Sequence, residues 1–254
     1  MKSGMENNIS NASLKPISPL PVKTDVTTVG KDISEMCLYN SRITKTYLEY
    51  LLKYHPEINI ASLLSYAGMT NYQVQDPAHW FTQQQVDTFQ KKLVEMTGDQ
   101  DIARKAGRFM SSSDGLGPAR QHLLGFMTPT AVYLLMQKLY PILSRAANIR
   151  TVKLSSNKVE IISTPKPGVN EKLYQCTNRI GTFESLAKFF TGSNATIEHP
   201  SCFHRGDAFC RYIVSWKKTP AVLWGLLRKY TLLIGFITFI ALIPILSFTS
   251  SGNS

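Results

Sequence analysis

Cysteine is scarce in this chain of 254 residues: there are four, Cys37, Cys176, Cys202 and Cys210. No two of them form a tight Cys-x-x-Cys pair. Acidic side chains are also short, 17 against 28 Lys and Arg, for a net charge of +11. That excess points to nucleic acid or to an anionic membrane surface. No Lys/Arg run interleaved with aromatics and no recognition-helix pattern is present, so nucleic acid is set aside. A phosphate loop is missing too, since Gly115-Leu116-Gly117-Pro118 is broken by its proline and leads to no P-loop lysine. His79, His122 and His204 have no nucleophile or base partner nearby in sequence, and Arg205 with Asp207 reads as a turn and ion pair. Catalysis is therefore not expected. Residues 1–32 lack a secretory signal; they are polar, hold Pro16, Pro19 and Pro21, and read as a disordered segment.

What is present begins with an apolar tail. Residues 231–248, TLLIGFITFIALIPILSF, carry no charge, and about eighteen such residues span a bilayer core. Lys217, Lys218, Arg228 and Lys229 precede the run, and nothing charged follows it. The positive-inside rule then predicts a single-pass protein of the inner membrane, with residues 33–216 in the cytoplasm, 217–230 as a basic juxtamembrane segment and 249–254 outside. A cytoplasmic site argues against a disulfide and for metal or free thiols.

The spacing of apolar residues predicts helices over 44–55, 60–66, 82–96, 99–110 and 128–146, with Thr82 as a cap and Pro129 in a first turn. Pro141 should kink or shorten the last of them. From Ile149 the period changes. TVKLS and KVEIIST alternate around Ser156-Asn157 and read as a hairpin. Lys172 to Cys176 reads as a strand, 181–190 as a helix, 195–199 as a strand, and 211–216 as another. The fold class is α+β, with a helical part over 33–147 and a sheet-rich part over 148–216.

Three cysteines and His199 fall in that last part. Arg205-Gly206-Asp207 is a turn signal that lets Cys202 face Cys210 across a hairpin. Cys176, His199, Cys202 and Cys210 then make a three-thiolate, one-imidazole set suited to a structural Zn²⁺. Buried cysteines also pack as small apolar groups, which is the plainer reading.

Phe183 to Trp216, through Glu184-Ser185-Leu186-Ala187-Lys188-Phe189-Phe190 and the Cys202–Cys210 block, resembles the end of 4-vinyl-reductase-type sensor domains. These are shared by phenol- and xylene-responsive activators and are related to the haem nitric-oxide sensors. The resemblance implies a zinc held by three Cys and a carboxylate. Seven residues separate Cys202 from Cys210 and twenty-five separate Cys176 from Cys202, as in that pattern. His199 stands in the carboxylate slot, with Glu198 beside it as the alternative. Asp76-Pro77-Ala78-His79-Trp80 and Thr97-Gly98-Asp99 resemble the amino-terminal region of membrane-associated bacterial sensor kinases. The chain carries no kinase, cyclase or DNA-binding module, so it reads as a stand-alone anchored sensor or as part of a longer one.

The related nitric-oxide sensors need an axial His and a Tyr-x-Ser-x-Arg cluster for the haem propionates. His122 is a candidate ligand, but residues 158–168, KVEIISTPKPG, supply no such Tyr or Arg. Haem is thus not expected. Phe126, Met127, Tyr133, Met136, Tyr140, Phe189 and Phe190 are instead the candidate walls of a site for a small apolar ligand. The leading expectation is a zinc-stabilised, membrane-tethered sensor, possible as a homodimer, that signals to a partner. A ligand-free scaffold of the same fold and a haem-based gas sensor are its rivals.

Overall fold

A computed structural model describes residues 36–110, 127–218, 227 and 230–241. The segment 1–32 lies outside them, as do 111–126, with His122 and Phe126, and 242–254. The described chain is α+β, as the periodicities imply. Strand β1 (Cys37–Asn40) leads into α1 (Ser41–Tyr54), α2 (Ile60–Tyr66) and α3 (Asn71–Gln75). Then come β2 (Trp80–Thr82), α4 (Gln83–Thr97), α5 (Ile102–Met110) and α6 (Pro129–Leu143). The second half is β3 (Ala147–Ser155), β4 (Lys158–Pro165), α7 (Leu173–Thr191), β5 (Thr196–Ser201), a short 3-10 turn (Phe203–Arg205) and β6 (Cys210–Ser215).

Caps explain most of these boundaries. The Asn40 side chain accepts from the Arg42 amide at the start of α1. Thr82 and Gln85 form a reciprocal capping box on α4, which Gly98 closes at φ 67°. Thr128 caps α6 with Pro129 in its first turn. Pro141 lies inside that helix, which ends at Leu143 rather than at 146; proline has no amide for the carbonyl four residues before it, which weakens the last turn. The largest departure is at α7. Residues 172–176, expected as a strand, instead open a helix of 19 residues that runs through the 181–190 stretch.

Two apolar cores result. Leu51, Leu63, Val74, Phe81, Leu93 and Ile102, none measurably exposed, fill the helical half. Val159, Ile161, Tyr212 and Val214 line the inner face of the four-stranded antiparallel sheet, order β3-β4-β6-β5, and meet Phe183 and Ala187 of α7. Helix α6 closes the β3 edge, where Gln137 Oε1 accepts from the Thr151 amide at 2.8 Å. Helices α5 and α7 join the halves at a glycine crossing. A Cβ on Gly181 would lie 2.0 Å from the Arg104 carbonyl oxygen, and one on Gly107 2.1 Å from that of Asn178. Glu184 locks the same crossing by accepting from both Arg104 and Arg108.

Residues 230–241 form a helix with apolar side chains exposed around its circumference, among them Leu232, Phe236 and Phe239. No helix among the described residues is long and apolar enough to cross a membrane. That finding removes the basis for the transmembrane helix over 231–248, and for the inner-membrane placement that rested on it.

Candidate functional site

The four sulfur and imidazole residues converge. Cys176 comes from the first turns of α7, His199 from β5, Cys202 from the residue that follows β5, and Cys210 from the start of β6. Their donor atoms all lie within 4.8 Å of one another. Sγ of Cys210 is 3.9 Å from that of Cys176 and 4.0 Å from that of Cys202, and the Cys176 sulfur is 3.8 Å from His199 Nε2. Cys176 thus arrives from a helix, not from a neighbouring strand. Alternation along β5 separates His199 from Glu198. His199 points to the sheet's inner face and stacks on Tyr212 (centroids 4.5 Å, planes 9° apart), whereas Glu198 points out and pairs with Lys158.

The turn after Cys202 is held by its own polar groups. Asp207 accepts from the Cys202 amide at 2.6 Å, and Gly206 takes φ 96°, the left-handed conformation that favours glycine. The Phe203 amide donates to Cys210 Sγ at 3.4 Å. The hydrogen bond between Cys176 and Cys210 pushes the Cys176 thiol up and pulls Cys210 down, and burial adds to the rise at Cys176. Burial lowers His204, whose Nε2 is enclosed without a partner.

Next to this cluster lies a cavity between the helical half and α6–α7. It has a volume of about 90 Å³, with Tyr39, Tyr47, Phe89, Met136, Tyr140 and Phe183 on its walls. On the same measure one water needs ~10–15 Å³. Arg179 faces it from α7, paired bidentately with Glu171 at 2.8 Å for each contact, both side chains under a tenth exposed. Its Nη1 donates to the Tyr140 oxygen at 3.3 Å and its Nε to Tyr212 at 3.4 Å. Tyr212 in turn lies 3.1 Å from the Cys176 sulfur. Burial works against the charge on Arg179, but Tyr212, Tyr140 and Glu171 outweigh it and hold the guanidinium protonated. Burial likewise pushes the Tyr39 phenol up.

Of the expected pocket residues, Met136 and Tyr140 line this cavity. Tyr133 does not: it is fully enclosed in the sheet-side core, stacked on Trp216, with its hydroxyl donating to the Phe183 carbonyl at 2.6 Å. Phe189 and Phe190 pack on each other near the end of α7, away from the cavity, and Met127 is not on its wall. Phe126 lies outside the described residues. Arg179 and Glu171 were missed by sequence reasoning, although an Arg amid the small and apolar residues of CTNRIGTF is a signal of a buried cation.

No family model matches the chain, and no curated protein matches it in sequence. Solved structures do. The chain resembles an H-NOX protein of S. oneidensis solved in its Fe(II)NO state, at 15% identity and TM-score 0.56, over 70% of this chain and 99% of that one. It resembles an oxygen-binding H-NOX domain related to soluble guanylate cyclases at 16% identity and TM-score 0.51, over 71% and 100%. A structure from a study of haem distortion in the H-NOX family matches at 16% and 0.52, over 70% and 95%. The fold is that of the H-NOX haem sensor domains. This corrects the leading expectation. The solved H-NOX structures it resembles are matched over 95–100% of their length, and they include one in an Fe(II)NO state and one from a study of haem distortion; the zinc-stabilised receptor for an apolar ligand loses its lead to that match. The expectation that haem has no place here falls with it, and four converging donors do not by themselves name zinc.

Proposed function

We propose that this chain is a sensory domain that carries haem in the cavity between its two halves and responds to a diatomic gas. Support comes from the match to haem sensors of the H-NOX fold over 95–100% of their length, together with an aromatic cavity at the junction of the two cores. The wall suits a flat aromatic macrocycle: Tyr39, Tyr47, Phe89, Tyr140, Tyr174 and Phe183 surround it. Seating one requires flexible wall side chains such as Met136 to give way. Among the described residues, no imidazole lines the cavity; the donors that haem iron accepts there are tyrosine phenols and methionine thioethers. Tyr140 is the best placed of them, because its oxygen already accepts from the buried Arg179 guanidinium. His122, the imidazole candidate, lies outside the described residues. When bound, haem supplies the iron on which a gas molecule coordinates. The protein's own part is to enclose it and to present Arg179 and the tyrosines to whatever binds.

Reconstitution with haemin checks this. A stoichiometric Soret band is expected, with Tyr140→Phe and His122→Ala deciding which residue would hold the iron. Absence of any such band in the full chain under reducing and oxidising conditions sinks the reading. We also propose Cys176, His199, Cys202 and Cys210 as a site for a soft cation, supported by the convergence of their four donor atoms.

A further inference from the structure

The cavity is one side of a larger feature. Gln90 and Tyr174 line it, and the same two residues line a wider groove between α4 and the start of α7, about 420 Å³ against about 90 Å³. They form the partition between the two spaces. Tyr174 is latched to Asp87 by a hydrogen bond of 2.8 Å, and Asp87 also accepts from Gln83 at 2.7 Å. Gln90 is 6% exposed, yet its carboxamide oxygen has no hydrogen-bond partner. A buried polar atom left unpaired is costly, and such atoms in native folds mark strain or an absent partner. Beyond the partition the groove presents Lys91 and Lys172, both exposed, and a single carboxylate, Asp87. Among the described residues neither lysine forms an ion pair, although the Lys172 charge acts on Asp87 from farther off and partly offsets the rise that burial gives its carboxyl.

We propose that groove and cavity together are one site for an amphipathic ligand bearing a carboxylate. The flat apolar body occupies the cavity, the carboxylate lies in the groove between Lys91 and Lys172, and the Gln90 amide bonds the ligand at the neck. Tyr174 swings from Asp87 to admit it. Haem, with its propionates, belongs to this ligand class, and to that extent the inference rests on the haem reading.

The test compares acids with their esters on the full chain. Haemin is titrated against haemin dimethyl ester, and, as a probe free of iron, pyrenebutyrate against its methyl ester. Two exposed ion pairs amount to roughly a tenfold change in affinity. Lys91→Gln/Lys172→Gln is therefore expected to weaken both acids about tenfold, to leave the esters unchanged, and to abolish the salt dependence of acid binding. Equal binding of acid and ester by the unsubstituted chain, or acid binding untouched by the double substitution, overturns the proposal. If haemin fails to bind while pyrenebutyrate binds in a lysine-dependent way, the haem reading falls and the carboxylate site stands. If neither acid binds, both fall.

Discussion

Gly181→Ala sets two physical effects against each other, and the structure decides the sign. On helix propensity alone, alanine in place of an interior glycine stabilises by ~1 kcal/mol. At this position, however, the new Cβ would lie 2.0 Å from the Arg104 carbonyl oxygen and 3.0 Å from the Arg108 nitrogen. Both are backbone atoms of α5, so no rotamer change relieves the clash. Bringing the 2.0 Å contact to 3.0 Å requires the helices to part by about 1 Å. That movement loosens the Glu184 bonds to Arg104 and Arg108 and the Asn178 bonds to Tyr47 and to the Ala103 carbonyl. Overpacking costs ~1–3 kcal/mol, and a clash with backbone belongs at the upper end. Subtracting the propensity gain leaves a net destabilisation of about 2 kcal/mol. For a domain of this size that corresponds to a fall in Tm of roughly 4–8 °C. Thermal unfolding followed by circular dichroism measures it, with Gly235→Ala as the control, since a Cβ there meets nothing within 4 Å. Gly107→Ala addresses the same crossing. Combined with Gly181→Ala it should cost less than the sum, because parting the helices once relieves both clashes. A Gly181→Ala protein that melts higher than its parent would refute the close crossing.

Two further outcomes follow from the charged and thiol groups. Burial alone would raise Glu184, but its bonds to Arg104 and Arg108 outweigh burial and hold it below the ordinary glutamate value of 4.5. A carboxylate lowered in the folded state contributes stability that is complete above its unfolded pKa and is lost as pH falls through the folded one. Glu184→Gln should therefore flatten the acid limb of a stability–pH profile, and an unchanged limb counts against the triad. For the sulfur cluster, titration with Cd²⁺ should give a thiolate charge-transfer band that Cys176→Ser, Cys202→Ser or Cys210→Ser each reduces. Glu198→Ala and Cys37→Ser should leave it intact; a loss in Glu198→Ala would reverse the choice of His199.

The local rules carried much of the fold. Residues 60–66 form the helix that their spacing implies, Thr82 caps α4, and Ser156-Asn157 turns the β3–β4 hairpin as alternation requires. The same rules failed at 172–176. There KLYQC has the aromatic and apolar content of a strand, yet tertiary context makes it the first turn of α7, because Gln175, Cys176 and Arg179 must all face inward at helical spacing. Four donors spread over 35 residues were legible as a set because thiols and imidazoles are rare in this chain. The cavity was not. Its walls come from β1, α1, α4, α5, α6 and α7, and aromatic residues at helical spacing look alike whether they enclose space or fill it. Tyr133 and Tyr140 show this: one turn pair apart on α6, the first is sealed into the sheet core and the second faces the cavity.

Helix α7 explains why the cavity and the sulfur cluster belong to one argument. Cys176 and Arg179 are three residues apart and so share a face; the first enters the cluster, the second the cavity. Tyr212 touches both, at 3.1 Å from the sulfur and 3.4 Å from the guanidinium, while its ring lies against His199. Glu171 balances the guanidinium in a bidentate pair. A bidentate guanidinium is fixed in plane as well as position, so Arg179 cannot turn toward a ligand in the cavity without changing what it offers Tyr212. The glycine crossing with α5 holds the same helix from its other side, with Gly181 two positions beyond Arg179. A ligand that moves α7 must therefore work against that contact, and the Cys176 sulfur moves with the helix.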